Sequence, residues 1–328
     1  ATVSTRPRPT QRVSLFISLW LCLFNMMLVH GYAPSSFGAG IIIPIIKDRH
    51  GDATSLDNYR GITLSSILSK VFEACLKEKL GQFLVTSQSQ FGFKKGHGCQ
   101  HAIYMLQNTV DFFRKRGSTV FIATLDASKA FDRVDHSCLF GKLIDRGVPN
   151  CFIAVLFNWY GKLTSAVRWC NCMSESFGIK AGVRQGGILS PILFNIYMDD
   201  LSVQLCDGGY GCFINRQFVG CIMYADDIII LSASVFGLQK LLDKCYDYCS
   251  VVGLSLNARK SNCVIVGGKS RSQISEMTIG GQAIEWTSSF KYLGVTFVAG
   301  KKLKIDCSAI RRKFYAACNG LLSRCKHV

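Results

Sequence analysis

Two short apolar runs, Phe218 to Met223 and Ile228 to Leu231, stand on either side of Tyr224-Ala225-Asp226-Asp227. Apolar runs of that length around a short polar break form a β-hairpin with acidic residues at its bend. A third stretch, Thr119 to Leu125, is β-branched and apolar and reads as a strand, with Asp126 at its end. Neighbouring strands lie about 4.8 Å apart, so if these strands pair, carboxylates distant in the chain converge on one spot. Such a cluster suits two divalent ions ~3.5–4 Å apart, which clamp the attacking and leaving oxygens of a phosphoryl transfer. Mg²⁺ fits because it keeps some waters and accepts phosphate oxygens as further ligands. Successive strand side chains point oppositely, so Asp226 and Asp227 are not equivalent, and the principal ligation falls to Asp226.

An Asp pair in a turn ordinarily caps backbone amides, so context must decide. Tyr197-Met198-Asp199-Asp200 repeats the pattern in a different setting. It follows Ser190-Pro191, an N-cap with proline at the first helical position, and its apolar residues keep helical spacing. Asp199 and Asp200 are therefore expected to be solvated on a helix, and the 224–227 copy carries the chemistry.

Elsewhere the apolar spacing predicts helices. Leu68, Val71, Phe72, Cys75, Leu76, Leu80, Phe83 and Leu84 form one stripe, and Ile103, Leu106, Val110 and Phe113 a second. Leu238, Leu241, Leu242, Cys245, Cys249 and Val252 form another, closed by Gly253. The class is α+β, a small acidic sheet packed by helices.

Arg12 and the apolar run Val13 to Val29 imitate a secretory leader, but no small-residue cleavage site follows. Gly31 and Pro34 instead mark the end of a buried helix. Only the Arg-Pro-Arg-Pro start at residues 6–9 looks like linker. The 16 cysteines include no C-x-x-C pair, and Cys75, Cys221 and Cys245 lie in apolar runs as small hydrophobes. His97, Cys99 and His101 alternate like metal ligands, yet no fourth partner is evident. A reduced, intracellular protein is the better reading. The 38 Lys and Arg against 21 Asp and Glu leave +17, which points to a polyanionic partner, nucleic acid first.

Further motifs follow in a fixed order. Leu23-Phe24-Asn25 through Gly31 and Ile43-Pro44-Ile45-Ile46-Lys47 come first, then Asn58-Tyr59-Arg60-Gly61-Ile62-Thr63-Leu64 and Gln90-Phe91-Gly92-Phe93-Lys94-Lys95-Gly96-His97. Leu125-Asp126 with Ala130-Phe131-Asp132-Arg133-Val134-Asp135 precedes Gly182-Val183-Arg184-Gln185-Gly186-Gly187-Ile188-Leu189-Ser190-Pro191. After Tyr224-Ala225-Asp226-Asp227 come Leu256-Asn257-Ala258-Arg259-Lys260-Ser261 and Tyr292-Leu293-Gly294-Val295. Across nearly all of residues 15–300 this series resembles the reverse transcriptase domain of a non-LTR (LINE-type) retrotransposon. Gly61 stands where the family more often has Pro, and Lys94 where it has Arg.

The resemblance implies a right-hand polymerase architecture, with fingers, an antiparallel palm sheet packed by helices, and a truncated thumb. Fingers with an amino-terminal extension would span 1–118 and the palm 119–136 and 182–300, with connecting helices at 137–181 and the start of a thumb at 301–328. It implies an RNA-directed DNA polymerase that adds dNTPs to a DNA primer on an RNA template. Two Mg²⁺, or Mn²⁺ in their place, would sit on Asp126, Asp226 and Asp227. Arg60 and Lys94 would neutralise the triphosphate, Phe131 would exclude the ribose 2′-hydroxyl, and Gln185 and Gly186 would meet the nucleotide or template. Lys260 would give a proton to pyrophosphate, and Tyr292, Leu293 and Gly294 would grip the primer. Asp132 and Asp135 read as caps and ion-pair partners. Basic residues Arg311, Arg312, Lys313, Arg324 and Lys326 would track a phosphate backbone. The implied setting is cytoplasmic and nuclear, with no membrane partner, and nothing in the pattern sets an oligomeric state. Two rivals stand beside this reading: a decayed copy that binds RNA without polymerising, and a secreted cysteine-rich protein.

Overall fold

The computed structural model describes residues 9–49, 51–268 and 274–325, with side chains of the first helix described from Ile17 onward. Arg6 to Arg8 of the opening stretch and Lys326 lie outside the described residues. The chain forms two units, each drawn from two stretches: 1–85 with 131–197, and 86–130 with 198–328.

In the first unit the apolar segment that imitates a leader is a helix, Pro9–His30. Gly31 ends it at φ +58°, and a Cβ there would sit 2.9 Å from that of Ala154. Phe24 meets Phe72 of helix Ile67–Lys79 at 5.0 Å between ring centroids, and Phe72 meets Trp159 of helix Asn150–Tyr160 at 5.7 Å. Such pairs add about 0.5–1.5 kcal/mol each beyond area burial. Ser66 starts the Ile67–Lys79 helix by accepting the Ser69 amide at 3.1 Å. In the sheet of this unit, Ala39–Ile46 runs antiparallel to Tyr59–Ser65 and parallel to Thr164–Trp169. Thr164–Trp169 also carries the short pieces Cys172–Met173 and Phe177–Gly178. Among the described residues no helix is long and apolar enough to cross a membrane.

The second unit is built on a six-stranded sheet. Its order is Met277–Ile279, Gln282–Thr287, Asn262–Val266, Val120–Asp126, Asp227–Ser232 and Cys221–Tyr224. The sheet is antiparallel except where Asn262–Val266 meets Gln282–Thr287 in parallel. Val120 and Ile122 pack with Ala102, Leu106 and Val110 of helix Cys99–Lys115, all fully buried. Phe121 and Ala123, which point the opposite way, are buried too, so both faces are covered. Helix Val235–Val251 packs on Asp227–Ser232, Met277–Ile279 and Val120–Asp126 and ends at Gly253, φ +73°. A smaller three-stranded sheet follows: Ser289–Tyr292, Val295–Val298 and Lys304–Asp306.

Four expectations need correction. The helix Pro9–His30 is not buried: Phe24 and Met27 are covered, but Ile17, Leu19, Leu21, Met26 and Val29 are exposed. The stripe begun at Leu68 leaves the helix at Lys79, so Phe83 and Leu84 lie in the turn that follows. The apolar run from Phe218 is not one strand: Gln217–Phe218 pairs with Phe213–Ile214, and the longer strand starts only at Cys221. Gly220 lies at the break, where a Cβ would sit 2.6 Å from the Phe218 ring. Cys75 is exposed, because helix Ile67–Lys79 turns it outward. Cys221, Cys245 and Cys249 are buried, and burial pushes the Cys221 thiol up to about 12. All 16 cysteines are free.

Candidate active site

The central strands bring the acidic residues together. Asp126 and Asp227 are direct register partners across the antiparallel pair, which sets their Cα atoms roughly 4.5–5.5 Å apart. Residues opposite one another project from the same face, here the one shared with Ile122 and Leu231. Tyr224 pairs with Asp227, so Ala225 and Asp226 alone make the hairpin turn. Ala225 takes φ +55°, a backbone that hairpin turns usually give to Gly, Asn or Asp.

Asp126 is also held along its backbone. Its C=O accepts the Asn257 amide at 2.9 Å, and its N–H donates to Ser261 Oγ at 3.3 Å. Ser261 Oγ donates in turn to the Asn257 C=O at 2.7 Å, while Asn257 Oδ1 accepts the Arg259 and Lys260 amides. The 257–261 turn is thus fastened to the acidic strand, and it presents Lys260 exposed to solvent.

Tyr292 belongs to the same neighbourhood. Burial, with the Asp227 carboxylate nearby, pushes its phenol well above the usual range, and its Oη has no hydrogen-bond partner among the described residues. Leu293 and Gly294 form the following turn at φ +47° and +81°, the double positive φ of a type I′ hairpin. The Tyr224 phenol is raised by a hydrogen bond with the Cys99 thiol and by burial. Cys99 opens a helix, and His101 Nδ1 accepts the Gly98 amide at its start.

Lys94 sits away from open solvent. Its ammonium donates to the Thr86 and Ser87 carbonyls at 3.0 and 2.7 Å, and burial lowers its pKa against the pull of Asp199. Asp199 is not the solvated residue expected of it. It lies on a helix, Ser190–Asp207, but is 7% exposed and accepts the Ser87 amide at 2.7 Å. A buried amide supplies the donor that makes this burial tolerable.

The other predicted residues lie in the first unit. Arg60 is exposed on Tyr59–Ser65. Phe131 stacks on Phe194 at 4.4 Å and 13°, and its C=O accepts the Val183 amide at 2.7 Å. Gln185 Nε2 donates to Asp132 Oδ1 at 3.1 Å, and its C=O accepts the Thr63 amide at 2.7 Å. Gly186 takes φ +120° against Thr63, whose C=O would be 2.7 Å from an added Cβ. Beneath this glycine loop, buried Glu73 accepts the Ile188 amide at 2.8 Å. Arg184 donates to the Phe37 and Gly38 carbonyls. A cavity of about 350 Å³ opens here, lined among others by Ile42, Gly61, Thr63, Asp132 and Gln185. Asp135 is the cap expected of it, accepting the Cys138 amide at 2.7 Å.

Among the described residues no group of three or more His, Cys, Asp or Glu forms a metal site on its own. Carboxylates on adjoining strands and their turn still fit Mg²⁺, which is usually held by one or two carboxylates and completed by water and phosphate oxygens. Gln90, Asn257 and Ser261 of the second unit and Glu73 of the first carried no assigned role in the sequence. The one available signal was that Gln90, Asn257 and Ser261 fall inside the ordered motifs.

Residues 46–297 match the family described as reverse transcriptase (RNA-dependent DNA polymerase). The Retrovirus-related Pol polyprotein from type-2 retrotransposable element R2DM of Drosophila melanogaster is 29% identical over 296 residues, which is 88% of this chain and 28% of that protein. The RNA-directed DNA polymerase from mobile element jockey of Drosophila funebris is 29% identical over 306 residues, 89% of this chain and 32% of its own. The chain thus spans about a third of the length of the curated relatives it matches. Among solved structures, apo telomerase from Candida tropicalis truncated from its C-terminal domain superposes with a TM-score of 0.58 at 15% identity, covering 84% of this chain and 56% of that one. Telomerase from Candida albicans in complex with a TWJ fragment of telomeric RNA gives 0.54 at 13% identity, over 88% and 50%. At these identities the structural likeness carries the fold alone.

Proposed function

Because the chain belongs to the reverse transcriptase (RNA-dependent DNA polymerase) family and has its palm-and-fingers fold, we propose that it is the polymerase part of a non-LTR retrotransposon protein. It copies an RNA template by extending a DNA primer with dNTPs inside the cell. The observation that supports this most directly is the pairing of Asp126 with Asp227, with Asp226 in the adjoining turn.

Asp126, Asp226 and Asp227 would hold two Mg²⁺, for which Mn²⁺ could substitute. Such ions would supply the Lewis-acid charge that a phosphoryl transfer needs. The chain's own work is positioning and charge. The primer 3′-hydroxyl loses its proton to solvent as its oxygen bonds to the α-phosphorus, the bond to pyrophosphate breaks, and Lys260 gives that leaving group a proton. Arg60 meets the triphosphate as a fork of donors. Lys94, whose ammonium serves the Thr86 and Ser87 carbonyls, keeps a third N–H and its charge for the triphosphate. Phe131, backed by Phe194, blocks the ribose 2′-hydroxyl by bulk. Gln185 and Gly186 meet the nucleotide or template, and Tyr292, Leu293 and Gly294 steady the primer.

Primer extension on a primed RNA, with and without Mg²⁺, tests the reading. Asp126→Asn is expected to lower extension by at least roughly a hundredfold while RNA affinity stays within about twofold, because affinity comes mainly from cations on phosphates. Wild-type extension rates in the variant would remove Asp126 from the site.

A further inference from the structure

A short stretch, residues 89–92, runs beside the strand Cys221–Tyr224. The Met223 amide donates to the Ser89 C=O at 2.8 Å and the Phe91 amide to the Met223 C=O at 2.8 Å, with Gln90 and Met223 as parallel bridge partners. Gln90 is wholly buried. Its Oε1 accepts two backbone amides, that of Gly92 at 2.9 Å and that of Ala225 at 3.0 Å. Two N–H donors on one atom identify that atom as the carbonyl oxygen. Nε2 of the same amide has no acceptor among the described residues, so the side chain gives up solvation at one end to keep the other on the turn.

Ala225 is the residue in need of holding, because a side chain at φ +55° is disfavoured by its own Cβ. Gly92 is part of the same device. A Cβ at Gly92 would lie 2.7 Å from the Ala225 nitrogen, so glycine lets 89–92 approach this closely. The stretch is also fastened just before and just after. The Ser87 amide donates to Asp199, and Lys94 donates back to the Thr86 and Ser87 carbonyls.

We propose that Gln90 is a positioning residue that locks Ala225 in its left-handed conformation and thereby sets where Asp226 and Asp227 stand relative to Asp126. The proposal deepens the polymerase reading and rests on it for its effect on rate. The lock itself is a property of the backbone that can be read without activity.

The test uses the full chain and two readouts: amide hydrogen exchange of the peptide containing Ala225, and single-turnover primer extension. Gln90→Leu keeps the volume and removes the acceptor. Exchange at Ala225 is expected to speed up roughly tenfold or more, and the extension rate to fall by a similar factor with dNTP KM within about twofold. In Gln90→Leu/Ala225→Gly the rate recovers in large part, since glycine takes a positive φ without the Cβ penalty; general loss of stability gives no such recovery. Gln90→Glu retains the acceptor and keeps the Ala225 amide slow, which covers a Leu variant that fails to fold. Unchanged exchange in Gln90→Leu, a Glu variant that exchanges as fast as an unprotected loop, or a double variant no faster than Gln90→Leu overturns the lock. A wild type that protects Ala225 but extends no primer instead removes the polymerase reading and leaves the lock standing.

Discussion

Glu73 carries a carboxylate into a buried position so that it can receive the Ile188 amide behind the glycine loop. Burial raises its pKa, and the Ile188 bond and the nearby Arg184 and Lys70 charges only partly oppose this. The native state therefore holds the proton more tightly than the unfolded chain does. The resulting stabilisation is full below the ordinary carboxylate value and is lost as pH rises through the raised one. Glu73→Gln keeps an acceptor for Ile188 without the charge. Denaturant unfolding across that window should show wild type losing stability relative to Glu73→Gln as pH increases. A constant difference across the window contradicts the assignment. Glu73 also shows what sequence conceals at this scale: it sits on a helical stripe as one more polar residue. Its partner lies 115 residues away, and no local spacing encodes such a bond. Asp199 departs from its expected solvation for the same reason, since helical periodicity gives a face but not what covers it.

Elements were more legible than side-chain partners. Val120–Asp126, the acidic hairpin, and the helices Ile67–Lys79, Cys99–Lys115 and Val235–Val251 all follow from apolar period and turn chemistry. Strand register was not legible. Alternation along the strand separates Asp226 from Asp227 but does not say that Asp227 is the one registered directly across from Asp126. Gly220 shortened a strand that composition alone would have extended. Helix Cys99–Lys115 underlies the acidic sheet through Ala102, Leu106 and Val110. Leu106→Ala opens a cavity under the central strand and is expected to cost about 2–5 kcal/mol. Chemical denaturation checks the loss. A change below about 1 kcal/mol would mean that this helix is not a principal support of the sheet.

At the scale of the whole molecule, the charge of +17 has a consequence for the RNA complex. Arg311, Arg312, Lys313 and Arg324 lie exposed on helix Ser308–Cys325, which buries none of its residues. If they contact phosphates, replacing Arg311, Arg312 and Lys313 with Ala weakens binding. It also flattens the dependence of log K on log salt by roughly 0.7–0.9 for each contact removed. Filter binding over a salt series reads both, and an unchanged slope takes the helix out of the contact surface.

The strand Val120–Asp126 is flanked on both sides by partners that come later in the chain, Asp227–Ser232 and Asn262–Val266. During synthesis this apolar strand leaves the ribosome roughly a hundred residues before either neighbour exists, with both of its backbone edges bare. Chaperone occupancy of nascent chains should therefore peak after residues 120–126 have emerged and fall once the acidic hairpin has emerged.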